Sequence, residues 1–87
     1  MGPHAGSLAD VPEPLSPRHA AFGAAVRERR NELEISQEDA ADATRMDRTY
    51  YSGIERGLRN PSLAVLYRLA DGLRTTLADL ARRADDR

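Results

Sequence analysis

The sequence predicts an all-α fold, compact and built from five helices. Three observations carry that expectation. Residues that cap helix starts recur along the chain, at Ser16, Ser36, Asp47, Ser62 and Thr76. Each is followed by apolar residues at helical spacing. The chain of 87 residues, with a mean hydropathy of -0.62, is sized for one small domain and has no apolar run near the ~20 residues of a membrane span.

Residues 1–16 contain Pro3, Pro12 and Pro14 and show almost no periodicity, so a flexible N-terminal arm is expected there. Ser16-Pro17 reads as an N-cap followed by proline in the first helical position. Phe22, Ala25, Val26 and Leu33 then mark the buried stripe of a first helix running to about Glu32, with Arg18, Arg27 and Glu28 outward. Ser36 and Asp39 have capping-box spacing, which starts a second helix at Gln37. Its inner face, Ala40, Ala41 and Thr44, is small enough for another helix to cross closely. The chain breaks at Thr44-Arg45-Met46, and Asp47 caps a third helix from Arg48 to Arg56, closed by Gly57. Ser62 opens a fourth helix with the stripe Leu63, Leu66, Leu69, Ala70 and Leu73. Thr76 to Asp79 repeats the capping box for a fifth, where Leu77 and Leu80 close the bundle. The folded domain is expected over 17–84. The charged tail from Arg82 to Arg87 should fray, with 85–87 as its loose end.

The third helix carries the functional signal. Tyr51 and Ile54 point to one side, with Met46 ahead of them, while Arg48, Thr49 and Ser52 point to the other. A short helix that packs on one face and offers arginine and hydroxyls from its first turn has the makeup of a helix laid into a DNA groove. The net charge of -1 argues mildly against nucleic acid, but its distribution does not. Between Arg45 and Asn60, Arg45, Arg48, Arg56 and Arg59 face only Asp47 and Glu55. All 13 basic residues are arginine, which suits bidentate guanine and phosphate contacts but is better read as a general bias against lysine, since it extends to surface positions such as Arg82, Arg83 and Arg87. The arm has no arginine before Arg18, so it has little with which to grip DNA.

Several separated motifs, in order, resemble the phage repressor/Cro (XRE-like) helix-turn-helix family. They are Arg30; Ser36-Gln37-Glu38-Asp39 with Ala41; Tyr50, Ser52 and Ile54-Glu55-Arg56-Gly57; Asn60-Pro61-Ser62-Leu63; and Leu69-Ala70-Asp71 with Leu73. The resemblance covers roughly residues 18 to 82, and the run from Asp47 to Arg56 is similar to restriction-modification controller proteins. It implies a five-helix repressor-like DNA-binding domain and a homodimeric transcriptional regulator on a roughly palindromic operator of double-stranded DNA. It also implies base contacts from Arg48, Thr49 and Ser52, the last reaching either a base or the backbone. Phosphate contacts are expected from Gln37, Arg45, Tyr50, Arg56, Arg59 and Asn60. Arg30 and Glu55 should form a partly buried structural ion pair. Dimerisation through the last two helices makes Tyr67, Leu73, Leu77 and Leu80 candidates, some of which the core must take. The chain departs from the family at Ala40, where leucine is usual, at Tyr51, where an aliphatic residue is usual, and at Arg45, where the turn commonly has glycine. The Tyr51 ring is expected to fill the volume that Ala40 leaves.

Other classes find less support. The absence of cysteine excludes disulfides and thiolate metal sites, and His4 and His19 lack neighbours at ligand spacing, so no metal or other cofactor is expected. No nucleophile-base set or phosphate-cradling glycine loop suggests an enzyme. Met1 to Ser7 lacks the basic and apolar regions of a secretion signal, so a cytoplasmic protein is expected. The competing reading is a protein-interaction module on the same fold, antitoxin-like or sigma-factor-binding.

Overall fold

The computed structural model describes residues 11–87. It contains α1 (Pro17–Glu32), α2 (Gln37–Ala43), α3 (Arg48–Glu55), α4 (Leu63–Gly72) and α5 (Leu77–Asp85). Each of the five described helices starts with a side chain accepting from the backbone N–H three residues on. Ser16 accepts from His19, Ser36 from Asp39, Asp47 from Tyr50, Ser62 from Val65 and Thr76 from Asp79, at 3.0–3.3 Å. The predicted starts therefore coincide with the observed ones. Arg56, expected inside the third helix, is its C-cap.

The ends of α1 to α4 share one geometry. Glu34, Arg45, Gly57 and Arg74 each have a φ between 55° and 75°, and the N–H of the following residue closes onto the helix. Met46 N–H donates to Ala41 O at 2.8 Å, Leu58 to Gly53 at 2.8 Å and Thr75 to Ala70 at 2.9 Å, which completes the last turn in the Schellman manner. Only one of these four ends uses glycine.

The core is small. Val26, Ala40, Ala41, Tyr51, Ile54, Leu69, Ala70, Leu73 and Leu80 are buried, with Phe22, Leu33, Ile35, Met46 and Leu66 packed against them. α1 packs on α3 and α5, and α2 on α3. At the α1–α3 crossing, Gly23 lies so close to the Ile54 and Glu55 carbonyls that no Cβ would fit.

One expectation needs correction, and two others meet structural detail. Leu73 and Leu80, candidates for a dimer surface, are fully enclosed within one chain. A stripe at helical spacing serves core and interface alike, and here the core takes both. In the tail expected to fray, α5 continues to Asp85, and Arg83 and Arg87 reach back to α1. Arg83 pairs with Glu28, Glu32 and Asp79 at 2.7–2.8 Å, and Arg87 with Glu28 at 3.2 Å. Hydrogen bonds from Arg83 and Arg29 hold Glu32 at a pKa of about 2, and those from Thr75, Arg82 and Arg83 hold Asp79 at about 2. Finally, the arm is anchored at its root, where Leu15 N–H donates to Gly57 O at 2.9 Å. The rest of that expectation, residues 1–10 with His4, lies outside the described residues.

Candidate nucleic-acid interface

The recognition element is positioned from its buried side. The Glu55 carboxylate, at the end of α3, has no solvent exposure and accepts from Arg30 Nε at 2.6 Å and Nη2 at 3.1 Å. Gln37 Nε2 donates to the same carboxylate at 2.9 Å, and Arg27 stands 3.6 Å away. One anion thus ties α1 and the start of α2 to the end of α3. Burial pushes the Glu55 pKa up, but the hydrogen bonds from Arg30 and Gln37 outweigh it and leave the carboxyl below its ordinary value. Arg30 is correspondingly raised by its bond to Glu55. The Tyr51 hydroxyl is buried beside this carboxylate without completing a hydrogen bond, and burial and the adjacent charge push it well above the usual phenol range.

A second set of bonds closes the helix-turn-helix from α4. Arg68 Nε donates to Thr44 O at 3.0 Å, satisfying a carbonyl at the end of α2. Thr44 is itself buried, its hydroxyl donating to Ala40 O at 2.7 Å. Arg45 takes the left-handed conformation of the turn, with φ 58°, and its side chain is exposed.

With Tyr51, Ile54 and Glu55 held inward, the outer face of α3 is left to Arg48 and Thr49, both exposed, and Ser52, half-buried. Arg56, Arg59 and Asn60 follow as exposed residues just past the helix. The Arg59 guanidinium lies over the half-buried Tyr50 ring, 5.4 Å from its centroid. Asn60 Oδ1 is bonded to His19 Nε2 at 3.1 Å, and His19 Nδ1 to Ser16 Oγ at 2.7 Å, which fixes the loop to the start of α1. Most arginines away from α3 are paired. Arg18, Arg27, Arg29, Arg30, Arg82, Arg83 and Arg87 pair with carboxylates on α1, α3 and α5. Arg45, Arg48, Arg56 and Arg59 make no ion pair with any described residue, and outside the α3 region the same holds only for Arg68, which donates to Thr44 O, and Arg74.

The helix-turn-helix family profile matches residues 26–80, which spans α2, the turn and α3 with the helices that support them. The chain belongs to the helix-turn-helix family. As an XRE-like helix-turn-helix protein it is a DNA-binding transcriptional regulator, and the family is in general one of regulators rather than enzymes. The chain is 46% identical over 52 residues to the control protein C.MunI of a Mycoplasma species, covering 60% of this chain and 70% of that protein. Among solved structures, the restriction-modification controller C.AhdI from Aeromonas hydrophila matches with a TM-score of 0.73 at 37% identity, over 75% of this chain and 98% of that one. The clp gene regulator ClgR from Corynebacterium glutamicum matches with a TM-score of 0.76 at 32% identity, over 88% and 96%. Among the described residues, no helix of this helix-turn-helix protein is long and apolar enough to cross a membrane.

One expected contact is altered by the structure. One Gln37 side-chain N–H, assigned to phosphate from the sequence, is engaged with Glu55, so its backbone N–H and the second amide N–H remain as the donors for a phosphate. The roles of Arg68, His19 and Gly53 at this site are not expected from the sequence. The first two act across 24 and 41 residues and have no local signature. Gly53, a glycine inside a helix, did have one.

Proposed function

We propose that two copies of this chain bind a roughly palindromic operator in double-stranded DNA, with half-sites about one helical turn apart. The binding unit is the domain over 17–84, working in the cytoplasm without catalytic activity of its own. Arg48 and Thr49 read base edges, Arg48 bidentately on guanine O6 and N7, and Ser52 reaches a base or the backbone. Arg45, Tyr50, Arg56, Arg59, Asn60 and the Gln37 backbone N–H hold phosphates. The observation that supports this most is the set of four arginines in and around α3 without an ion-pair partner among the described residues, in a chain whose other arginines are mostly neutralised internally.

The dimer surface is drawn from α4 and α5. With Leu73 and Leu80 in the core, the remaining apolar candidates are Tyr67, 54% exposed, and Leu77, half-buried, to which the structure adds Leu63 at 64%. Sedimentation of the free protein and of its complex with duplexes selected from a random library tests the proposal. A two-to-one complex on a symmetric site is expected, with log K against log salt falling at a slope of roughly -5 if Arg45, Arg56 and Arg59 of both copies neutralise phosphates. Salt-independent binding, or a monomer on an asymmetric site, would refute it.

A further inference from the structure

Gly53 stands in the middle of the eight-residue α3, where glycine is among the poorest helix formers. The fold does not explain it. At Gly23 and Gly72 an added Cβ would run into backbone carbonyls of other elements, but at Gly53 the three nearest atoms it would meet all belong to one side chain. That side chain is Arg59, with Nε at 2.9 Å, Cγ at 3.1 Å and Cδ at 3.5 Å from the position a Cβ would take. Gly53 is also absent from the positive-φ positions, so its backbone asks for nothing special. The missing Cβ leaves a notch in the recognition helix, and the Arg59 stem lies in it. From the notch the guanidinium passes over the Tyr50 ring, and Arg59 remains exposed, with no ion pair to a described residue.

We propose that Gly53 is a positioning residue for DNA binding. Together with the Tyr50 ring it seats Arg59 along the edge of α3, so that the guanidinium meets a backbone phosphate already oriented. A long arginine side chain loses most of its rotamer freedom on docking, and one that is already laid down loses less. Gly53 touches no DNA in this arrangement and acts through Arg59. The inference rests on the DNA-binding reading above and adds a consequence that a packing role would not have. Gly53→Ala improves helix propensity and should leave the fold as stable or more so, while DNA affinity falls.

The test is a double-mutant cycle in the full chain with wild type, Gly53→Ala, Arg59→Ala and the double variant, measuring melting temperature and duplex affinity at several salt concentrations. Gly53→Ala should weaken binding roughly fivefold to tenfold on every duplex, cognate or not, with an unchanged or higher melting temperature. Arg59→Ala should weaken it about tenfold and reduce the salt slope by about 1 per protomer. In the Arg59→Ala background, adding Gly53→Ala should change affinity by less than about twofold. Arg59→Lys should restore part of the salt slope. Equal loss from Gly53→Ala in both backgrounds, no loss at all, or a lowered melting temperature would overturn the inference while DNA binding itself stood. Absence of salt-dependent binding by the wild type would overturn both.

Discussion

Replacing Glu55 with glutamine probes the anchor on which the recognition helix depends. The substitution keeps the shape and removes the charge, leaving Arg30, whose side chain is 14% exposed, aimed at a neutral amide in a site where the carboxylate had no exposure. Removing one partner of a buried pair costs about 3–5 kcal/mol, and the residual exposure of Arg30 places the expectation near ~3 kcal/mol. In a domain of this size that lowers Tm by about 15 °C. Urea and thermal unfolding at pH 7 measure it. The loss should depend on pH in a definite direction. The Glu55 pKa is lower in the folded state than its ordinary 4.5, so its contribution is complete above about pH 4.5 and disappears as pH falls through the folded-state value. The gap between wild type and Glu55→Gln should therefore narrow on acidification. Replacing Arg30 and Glu55 together with methionine should recover most of the loss, because the unpaired buried charge is then gone. A cost below about 1 kcal/mol for Glu55→Gln, or a double variant as unstable as the two losses combined, would refute the reasoning.

The other expectations concern packing, turn geometry and the clasp at the chain's end. Tyr51→Ile should destabilise by about 2–3 kcal/mol, since the ring is fully buried in a core where Ala40 supplies little volume. Tyr51→Phe should cost less than about 1 kcal/mol, because the hydroxyl completes no hydrogen bond, and equal losses in chemical denaturation would contradict the volume argument. Glu34→Gly relieves a left-handed residue with φ 57° after α1 and should stabilise by about 1 kcal/mol, read as a higher urea midpoint. Arg83, with Arg29, lowers the Glu32 pKa from 4.5 to about 2, and Thr75 and Arg82, with Arg83, lower that of Asp79 from 3.8 to about 2. What it contributes is present above those ordinary values and is lost as pH falls toward 2. Arg83→Ala should accordingly lower Tm at pH 7 in low salt, less so at 1 M salt, and hardly at all near pH 2.

Local chemistry was legible and long-range chemistry was not. The five N-caps are contacts over three residues, so Ser16, Ser36, Asp47, Ser62 and Thr76 announced the helix starts without any knowledge of topology. The inward and outward faces of α3 followed from the spacing of Tyr51, Ile54, Arg48 and Thr49 for the same reason. Pairing Arg30 with Glu55 needed the family resemblance, since nothing local links residues 25 apart. Arg83 looked like a solvated end residue because its acidic partners Glu28 and Glu32 lie more than 50 positions earlier. Arg68 on Thr44 O was invisible for a similar reason: backbone carbonyls carry no sequence mark. Leu73 and Leu80 show the limit of periodicity, which assigns a face to an element but not the neighbour that will cover it.

Sequence-specific regulation by this chain requires above all that the exposed front of α3 read base edges. Selection of bound duplexes from a random library by wild type and by Arg48→Ala, followed by affinity measurements on the enriched sites, tests this directly. The expected result is a symmetric site for the wild type, in which Arg48→Ala costs about 1–3 kcal/mol and relaxes preference at one position per half-site, all others being kept. Uniform weakening on every sequence, or an unchanged base preference, would contradict it.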